Sequence, residues 1–351
     1  MVYTQQMTDA PERPTRLRTG KLETERLEQL LSDLPQRDRS VVIGPQIGED
    51  AAVIEIGNRC VVSATDPVTF ATDRVGWYAV HVNANDVAVL GARPRWFLAV
   101  LLLPEGTSFG LVESIMTDIR RACAALDVTV CGGHTEVTPH LDAPVVVGQM
   151  LGEAAPADLV RKTSLQAGDD LLLTHGAAIE GTAILARERR ASLTADLPAE
   201  FVDRAAALLT DPGISVVEAA MTAVAAGTIH AMHDPTEGGI LNGLAELATA
   251  ASTGLEVDVS RIPILPETGR ICGHLGLDPL RLIASGALLV GVPPSATVDV
   301  VAALTAKAIP VTRIGSARPQ EEGTTLVSED GRTRFGPSAT DELARLYERD
   351  G

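Results

Sequence analysis

Hydrophobic and polar positions along the chain follow two periodicities. Short apolar runs bounded by turn residues predict strands, the strongest being "WFLAVLLLP" at 96–104, and apolar residues at helical spacing predict helices near 74–91 and 107–126. The second half restarts the pattern with a strand at "DDLLLTHG" and a long helix from about 236 to 253. Because strands and helices are mixed in each half, we predict an α/β (α+β) fold made of two domains.

A polar, turn-rich segment at 154–169 separates the two halves. The length of 351 residues also exceeds what one hydrophobic core usually holds. The predicted division is an N-terminal arm with a short helix at 1–38, a first domain at 39–155, a second domain at 156–320 and a tail at 321–351.

Composition narrows the class of protein. Hydrophobic residues make up 45% of the chain and aromatic residues 3%, so the core is expected to consist of Val, Leu, Ile and Ala. No apolar run reaches the roughly 18–20 residues of a membrane span, and the N-terminus has no apolar leader segment. The four cysteines form no CxxC pair, which argues against a zinc site or a disulfide framework. We therefore expect a cytoplasmic protein without membrane contact.

The net charge of −17 argues against a nucleic-acid binder, because such proteins present a basic face. Lysines occur only at positions 21, 162 and 307. An anionic ligand would thus have to be met by a local cation, by backbone N–H groups or by a metal ion.

The helix predicted at 74–91 carries polar side chains among Val, Ala and Leu, namely His81, Asn83, Asn85 and Asp86. A buried polar group without a partner costs a few kcal/mol, and a carboxylate costs more. For His81 and Asn83, the ordinary explanation is a hydrogen bond to nearby backbone. Asp86 needs a cation, and the scarcity of lysine favours a metal ion.

Two further acids stand at predicted strand ends. Asp50 precedes the strand in "IGEDAAVIEI", and Asp66 ends the strand in "SATDPVTF". Each is also typical of an ordinary turn. Together with Asp86, they could converge on one divalent cation such as Mg²⁺.

Two glycine pairs could bring backbone close to a ligand. "VCGGHTE" at 130–136 reads as a strand ending in a glycine turn, although a plain strand exit is an equal alternative. In "DPTEGG", Asp234 is a predicted N-cap, with Pro235 and Glu237 at the first and third helical positions. Two glycines after them would each cost roughly 1 kcal/mol in a helix, which favours close approach of a ligand or of another backbone segment.

These segments resemble those of a known superfamily. The stretches "GEDAAV", "TDPV", "NANDVAVLGARP", "GGHTEVTP", "DPTEGGI" and "IASGALLV" have the order and spacing seen in aminoimidazole-ribotide (AIR) synthetase and its relatives, which include the hydrogenase-maturation protein HypE, selenophosphate synthetase and thiamine-monophosphate kinase. Any single motif is loose, but six in sequence over residues 20–315 are specific.

The resemblance implies a two-domain α/β protein whose N-terminal domains pair in a homodimer and whose long cleft binds ATP with Mg²⁺. By position, the metal ligands would be Asp50, Asp66 and Asp86. The resemblance further implies cofactor contacts from the following residues: Lys21, Asn85, Gly132, Gly133, Thr135, Asp234, Gly238 and Gly239. Asp86 and His134 would be catalytic, with His134 acting as a general base, a metal ligand or a phosphate contact.

The chain resembles HypE most closely but departs from it at the end. HypE ends in a cysteine that carries the carbamoyl group, whereas this chain ends "LYERDG". We predict Mg-ATP-dependent phosphorylation of a carbonyl, amide or phosphate oxygen on a small-molecule or protein-borne acceptor. The alternative is a non-catalytic nucleotide-binding maturation partner that docks on another protein. A Rossmann dehydrogenase is excluded because no GxGxxG opens a first βαβ unit.

Overall fold

The computed structural model describes residues 22, 24–35, 38–46, 48–69, 73–337 and 341–350. Lys21 and most of the predicted arm at 1–38 lie outside these residues. The short helix predicted after the arm is observed at Thr24–Ser32 (α1).

The first half of the described chain forms a six-stranded sheet with two helices. In chain order the elements are β1 (Val41–Ile43), β2 (Ala52–Ile56), β3 (Arg59–Val68), α2 (Val75–Ala88), β4 (Arg93–Leu103), α3 (Phe109–Ala125), β5 (Thr129–Val137) and β6 (Val145–Ala154). The strand order is β1-β2-β3-β6-β4-β5, and only β4 and β5 run parallel.

Only one face of this sheet is covered by helices. Side chains such as Phe97 and Leu101 point towards α2 and α3 and are buried. Alternate residues point to the other face and stay half-exposed, although they are equally apolar: Trp96, Leu98, Val100, Leu102, Val145, Val147 and Leu151. A strand that is apolar on both faces normally has both faces covered, so this open face is suited to a partner.

The second half of the described chain forms a seven-stranded sheet with more helices. The elements are β7 (Asp170–Thr174), α4 (Ile179–Glu188), α5 (Arg190–Asp196), α6 (Ala199–Ala207), α7 (Val217–Ala226), β8 (Ala231–His233), α8 (Gly239–Ala251), β9 (Gly254–Asp258), α9 (Pro266–Leu275), β10 (Leu289–Val292), α10 (Thr297–Ala306), β11 (Val311–Arg318), β12 (Thr324–Ser328), β13 (Gly331–Arg334) and α11 (Glu342–Asp350). The strand order is β13-β12-β9-β11-β7-β10-β8, with only β9 and β12 parallel.

Helix α2 lies between the two halves. Ala79, Ala84 and Val87 belong to the core of the first sheet, which continues into α7 and α10. Tyr78 instead belongs to the helical core formed by α4, α6, α9 and α11. The helix predicted at 74–91 is therefore confirmed. Its residues are nearly all apolar because it is buried on more than one side.

One stretch, residues 199–226, is long and apolar enough to cross a membrane by length and composition alone. It comprises α6, an irregular turn at Asp211 and Pro212, and α7. Half of its most apolar window is buried inside the protein, as is typical of core helices.

Candidate active site

Three side chains of metal-ligand type meet at the boundary between the two domains. Asp50 stands just before β2, His233 ends β8, and Asp234 follows directly. One oxygen of Asp50, one ring nitrogen of His233 and one oxygen of Asp234 all lie within 4.8 Å of one another. Because Asp50 comes from the first domain and the other two from the second, packing of the two domains creates this cluster.

A buried lysine neutralises part of this negative charge. The Lys162 side chain is only 4% exposed, and its Nζ lies 2.6 Å from Asp50 Oδ2. Burial alone would lower the pKa of Lys162, but the charge of Asp50 raises it above its ordinary value. Burial would raise the pKa of Asp50, yet the charges of Lys162 and His233 hold it well below its usual range. The two groups therefore form a charged pair.

His233 links Asp50 to helix α8. Its Nδ1 lies 3.7 Å from Asp50 Oδ2, and its Nε2 lies 2.9 Å from Glu246 Oε2. Burial and the nearby Lys162 would lower the pKa of His233, but the hydrogen bond to Glu246 and the negative charge of Asp50 outweigh them and raise it. The second Glu246 oxygen accepts a hydrogen bond from Asn242 Nδ2 at 3.0 Å. The imidazole is thus fixed in orientation.

For Asp234 of the cluster and for the nearby Asp86, the charges of neighbouring cations are too weak to offset burial. Burial raises the pKa of Asp86 well above its ordinary value, and the charges of Asp234, Asp66 and Asp50 raise it further. Burial, and then the charge of Asp50, raises the pKa of Asp234 to about 7. Oδ2 of Asp86 and Oδ2 of Asp234 have no hydrogen-bond partner among the described residues. A divalent cation would supply the missing charge and the missing partners for both oxygens.

These donors fit a magnesium ion. Mg²⁺ prefers a few carboxylate oxygens and completes its octahedron with water or phosphate oxygens. Asp50, Asp86 and Asp234 offer such oxygens, and Asp66 is close enough for its charge to affect Asp86. Of the predicted metal ligands, Asp50 lies in the cluster with Asp234, and Asp66 and Asp86 are near enough for their charges to interact. Their role as metal ligands stays a prediction.

Both asparagine side chains of α2 form hydrogen bonds with backbone groups of other segments. Asn83 Oδ1 accepts a hydrogen bond from Asp66 N at 2.8 Å, and its Nδ2 donates to the carbonyl oxygens of Asp66 and Ala79. The expectation that Asn83 bonds backbone is correct, and these bonds also set the position of Asp66. Asn85, predicted to contact the nucleotide, instead donates to Ile214 O and accepts from Val216 N, both at 2.9 Å. It ties α2 to the second domain.

The "VCGGHTE" segment is a strand, not the glycine turn that we predicted. Strand β5 continues through both glycines because it pairs with β4 up to Val137. A Cβ on Gly133 would lie 2.1 Å from Ala99 O, so glycine here permits two strands to approach closely.

Gly133 also lies far from the acid cluster within one chain. The sheet places Asp66, Gly148, Ala99 and Gly133 in one row across four strands. Three strand spacings separate Asp66 from Gly133 by about 14 Å. Gly132, Gly133, His134 and Thr135 instead line a shallow cavity of about 250 Å³ between β5 and α3.

His134 lies on the open edge of the sheet. Its side chain is 62% exposed, and its Nε2 lies 3.0 Å from Glu136 Oε2. Thr138 donates to the other oxygen of Glu136 at 3.0 Å. The structure therefore does not bring His134 to Asp50, Asp66, Asp86 or Asp234 of its own chain, and its catalytic assignment remains a prediction.

The start of α8 differs from the predicted helix start. The helix begins at Gly239 with Gly238 as its N-cap, five residues after Asp234, so Asp234 does not cap it. Gly238 N donates to Asp341 Oδ2 at 2.7 Å. Gly239 has φ +67°, and a Cβ there would lie 2.6 Å from Leu280 O. The glycine pair thus serves contacts with the protein itself, the second of the two predicted explanations, and leaves Asp234 facing the cluster.

The sequence analysis missed Lys162, His233 and Glu246. Lys162 lies in the polar segment that reads as a domain boundary, and only its rarity as one of three lysines marks it. His233 directly precedes Asp234, but it sits in a run that reads as a buried strand. Their partner Asp50 is more than 100 positions away in the chain.

Comparison with known proteins identifies the family. The N-terminal domain of AIR synthase related proteins matches residues 48–154, and their C-terminal domain matches residues 166–328. The carbamoyl dehydratase HypE of Rhodobacter capsulatus is 32% identical over 264 residues, which are 74% of each protein. The chain belongs to the AIR synthase-related family. The prediction of this superfamily and of a HypE-like chain is confirmed.

More distant relatives agree. A hydrogenase expression/formation protein of Methanocaldococcus jannaschii is 26% identical over 278 residues, 76% of this family member and 79% of that relative. The crystal structure of hydrogenase maturation protein HypE in complex with ATP superimposes with a TM-score of 0.68 at 24% identity, covering 92% of this chain and 94% of that one. The predicted two-domain α/β fold is therefore confirmed.

Proposed function

We propose that the protein is a Mg²⁺-dependent, ATP-dependent enzyme that phosphorylates a carbonyl, amide or phosphate oxygen of an acceptor. The observation that carries the proposal is the cluster of Asp50 and Asp234 with Asp66 and Asp86 near it, since the cations among the described residues are too few to balance these four acids. Membership of the family supports the enzyme class, since one relative is a carbamoyl dehydratase and a solved HypE holds ATP.

In such a transfer the bond between the γ-phosphorus and its bridging oxygen breaks, ADP leaves, and a new bond forms to the acceptor oxygen. A bound Mg²⁺ would neutralise charge on the triphosphate. Asp50, Asp86 and Asp234 would hold that ion, and Asn83 would keep Asp66 beside them through the backbone of β3. Lys162 and His233 would keep Asp50 ionised and oriented.

The site would be completed in a homodimer. Gly133 lies about 14 Å, or three strand spacings, from Asp66 of its own chain, and His134 follows Gly133 on the same strand β5. The half-exposed apolar face of the first sheet, which includes Trp96, Leu98 and Leu151, is suited to contact a second copy. Without such a contact its apolar side chains would remain in water. A location in the cytoplasm, predicted from composition, belongs to the same proposal.

A second candidate function is that of a nucleotide-binding maturation partner that docks on another protein. It is favoured by the solved HypE–HypF complex, in which the matching chain superimposes with a TM-score of 0.72 at 19% identity. The two functions differ in ATP turnover. A maturation partner would bind the nucleotide but would not hydrolyse it when a panel of amide and carboxylate acceptors is tested.

Asp86→Asn tests the proposed site. The amide has the shape of the carboxyl group, so the variant should fold, but it removes one anionic ligand from the cluster. We expect Mg²⁺ with an ATP analogue to raise the Tm of the wild type by several degrees. The variant should lose most of this shift, and acceptor-dependent ATP turnover should fall by about two orders of magnitude.

The matched control is Asp142→Asn, which changes an exposed carboxyl group in a loop. It should behave as the wild type in both measurements. Equal stabilisation of wild type and Asp86→Asn by Mg²⁺ and nucleotide would reject the assignment of Asp86.

A further inference from the structure

His233 places a nitrogen donor beside the acids of the site. It is the last residue of β8, directly before Asp234, and its side chain is 4% exposed. One of its ring nitrogens, one oxygen of Asp50 and one oxygen of Asp234 lie within 4.8 Å of one another. Nδ1 of the ring faces Asp50 and lies 3.7 Å from Oδ2. The cluster therefore offers nitrogen as well as oxygen to a ligand.

No hydrogen bond satisfies this nitrogen among the described residues. At 3.7 Å, the contact between His233 Nδ1 and Asp50 Oδ2 is longer than a hydrogen bond. His233 Nδ1 and Asp234 Oδ2 are both buried, and neither has a hydrogen-bond partner in the described part of the chain. Buried polar atoms left in this way are costly. Two of them in one cluster indicate a ligand that accepts a lone pair from each, as a metal ion does.

The distances leave room for an ion between these atoms. Two ligands that each lie about 2.0–2.1 Å from one metal ion are about 3 Å apart at a right angle and about 4 Å apart on opposite sides. The 3.7 Å between His233 Nδ1 and Asp50 Oδ2 falls between these values. The other pairs of ligand atoms are at most 4.8 Å apart, so small side-chain movements bring them into the same interval.

Lys162 does not take the place of this ion. Its Nζ lies 2.6 Å from Asp50 Oδ2, and among the described residues no ion pair joins Lys162 to Asp234. A carboxylate has two oxygens with about four lone-pair positions, so Asp50 can pair with Lys162 and bind a metal ion at the same time. The unpartnered atoms of His233 and Asp234 remain in the presence of Lys162.

The far side of the imidazole has the partners that metal-binding histidines have. His233 Nε2 lies 2.9 Å from Glu246 Oε2, and Glu246 Oε1 accepts a hydrogen bond from Asn242 Nδ2 at 3.0 Å. A histidine that binds a metal usually donates its second ring N–H to a carboxylate, which fixes the tautomer and the orientation of the ring. With the proton on Nε2, the lone pair of Nδ1 is left for a ligand between Asp50 and Asp234.

We propose that His233 is a nitrogen ligand of the divalent ion, with Asp50 and Asp234 as oxygen ligands, and that the site prefers a first-row transition-metal ion to Mg²⁺. Imidazole is a good ligand for such ions, whereas Mg²⁺ binds oxygen ligands. The inference rests on the proposed function, which places a divalent ion at the same acids. It adds a ligand and an order of preference, and Mg²⁺ can still bind through the carboxylates.

His233→Asn in the full-length protein tests the ligand, because the smaller amide removes the imidazole and stays polar. The probe is cobalt(II) chloride alone, compared with magnesium chloride. Calorimetry should show that the wild type binds Co²⁺ more tightly than Mg²⁺, by about two orders of magnitude. In His233→Asn, the ratio of the two affinities should fall by about tenfold or more.

Proton NMR of the Co²⁺-loaded protein gives a direct signature of the ligand. The paramagnetic ion shifts the ring N–H proton of a coordinated imidazole far outside the normal range, and this signal disappears in D₂O. The wild type should show the signal and His233→Asn should not. His140→Asn, which changes an exposed histidine, is the matched control and should keep it. Asp234→Asn should lose it, because the ion loses an oxygen ligand of the same site.

Glu246→Gln tests the site while keeping the imidazole. The glutamine oxygen still accepts the ring N–H, so the variant should fold and show the shifted signal, but its affinity for Co²⁺ should fall by about tenfold. Co²⁺ bound to the wild type without the signal, or the signal kept in His233→Asn, would overturn the ligand. Equal affinities of the wild type for Co²⁺ and Mg²⁺ would overturn the preference.

The nucleotide measurement separates this inference from the proposed function. If Mg²⁺ with an ATP analogue stabilises the wild type but Co²⁺ gives no coordinated-histidine signal, the inference fails and the proposed function stands. If the signal is present in a protein that no nucleotide stabilises, the proposed function fails and His233 remains a metal ligand.

Discussion

At the scale of single residues, the polar side chains of α2 show how differently similar positions can be used. Asn83 bonds backbone, as expected of a buried amide, and Asp86 faces the acid cluster. His81 is buried beside Trp77, and neither of its ring nitrogens has a hydrogen-bond partner among the described residues. The expectation that His81 bonds nearby backbone is therefore wrong. Periodicity predicts which helix positions are buried but not which of them find partners.

His81 should make stability depend on pH in the acidic range. Burial, and then the charge of Arg74, lowers the pKa of His81 to about 4. The unfolded chain, with the ordinary value near 6.5, therefore binds more protons between these two pH values. The stability that depends on neutral His81 is therefore fully present above about pH 6.5 and is lost as the pH falls towards 4.

His81→Leu should reduce the fall in Tm between pH 7 and pH 4.5. At pH 7 the variant should be as stable as the wild type or slightly more stable, because two unpartnered ring nitrogens are removed. Thermal unfolding at several pH values measures both effects, with the exposed His140→Asn as control. A large loss of Tm at pH 7, or an unchanged pH dependence, would contradict this explanation.

At the scale of elements, α2 joins the two domains. Its Asn85 holds Ile214 O and Val216 N of the segment before α7. Gly286, in the predicted "IASGALLV" motif, packs closely against the same segment, since a Cβ there would lie 2.6 Å from Gly213 O. The position of α2, and with it Asp86, therefore depends on contacts with the second domain.

Asn85→Ala should destabilise the protein by about 3 kcal/mol, because it leaves a buried N–H and a buried C=O without partners. Urea unfolding measures this change. Gln166→Ala, which removes an exposed amide, should change stability by less than about 0.5 kcal/mol. If the two variants were equally stable, Asn85 would not be the tie between the domains.

At the scale of the whole molecule, the open apolar face of the first sheet predicts self-association. Leu98→Glu places a charge on this face and should convert a dimer into a monomer, because burying an unpaired carboxylate is costly. Val298→Glu, at a 75% exposed position of the second domain, should leave the dimer intact. Light scattering after size-exclusion chromatography gives the masses. A wild type that is monomeric at micromolar concentration, or a dimeric Leu98→Glu, would contradict the prediction.

Much of this protein was determined by its sequence alone. The periodic segments place the main strands and helices, and the six motifs in order identify the superfamily. Asp50, Asp66 and Asp86 were predicted as one cluster because each is an acid at the edge of an apolar element, where burial without a cation is costly. The domain boundary at residues 155 and 156 stays a prediction.

Only the tertiary structure decided which distant groups meet. Lys162 pairs with Asp50 and His233 with Glu246 because packing of the two domains brings together segments that no local pattern connects. The glycines of β5 and of the turn before α8 allow close approach of protein backbone, which the residue type alone could not distinguish from approach of a ligand. Local patterns report burial and backbone freedom, whereas partners are set by long-range packing.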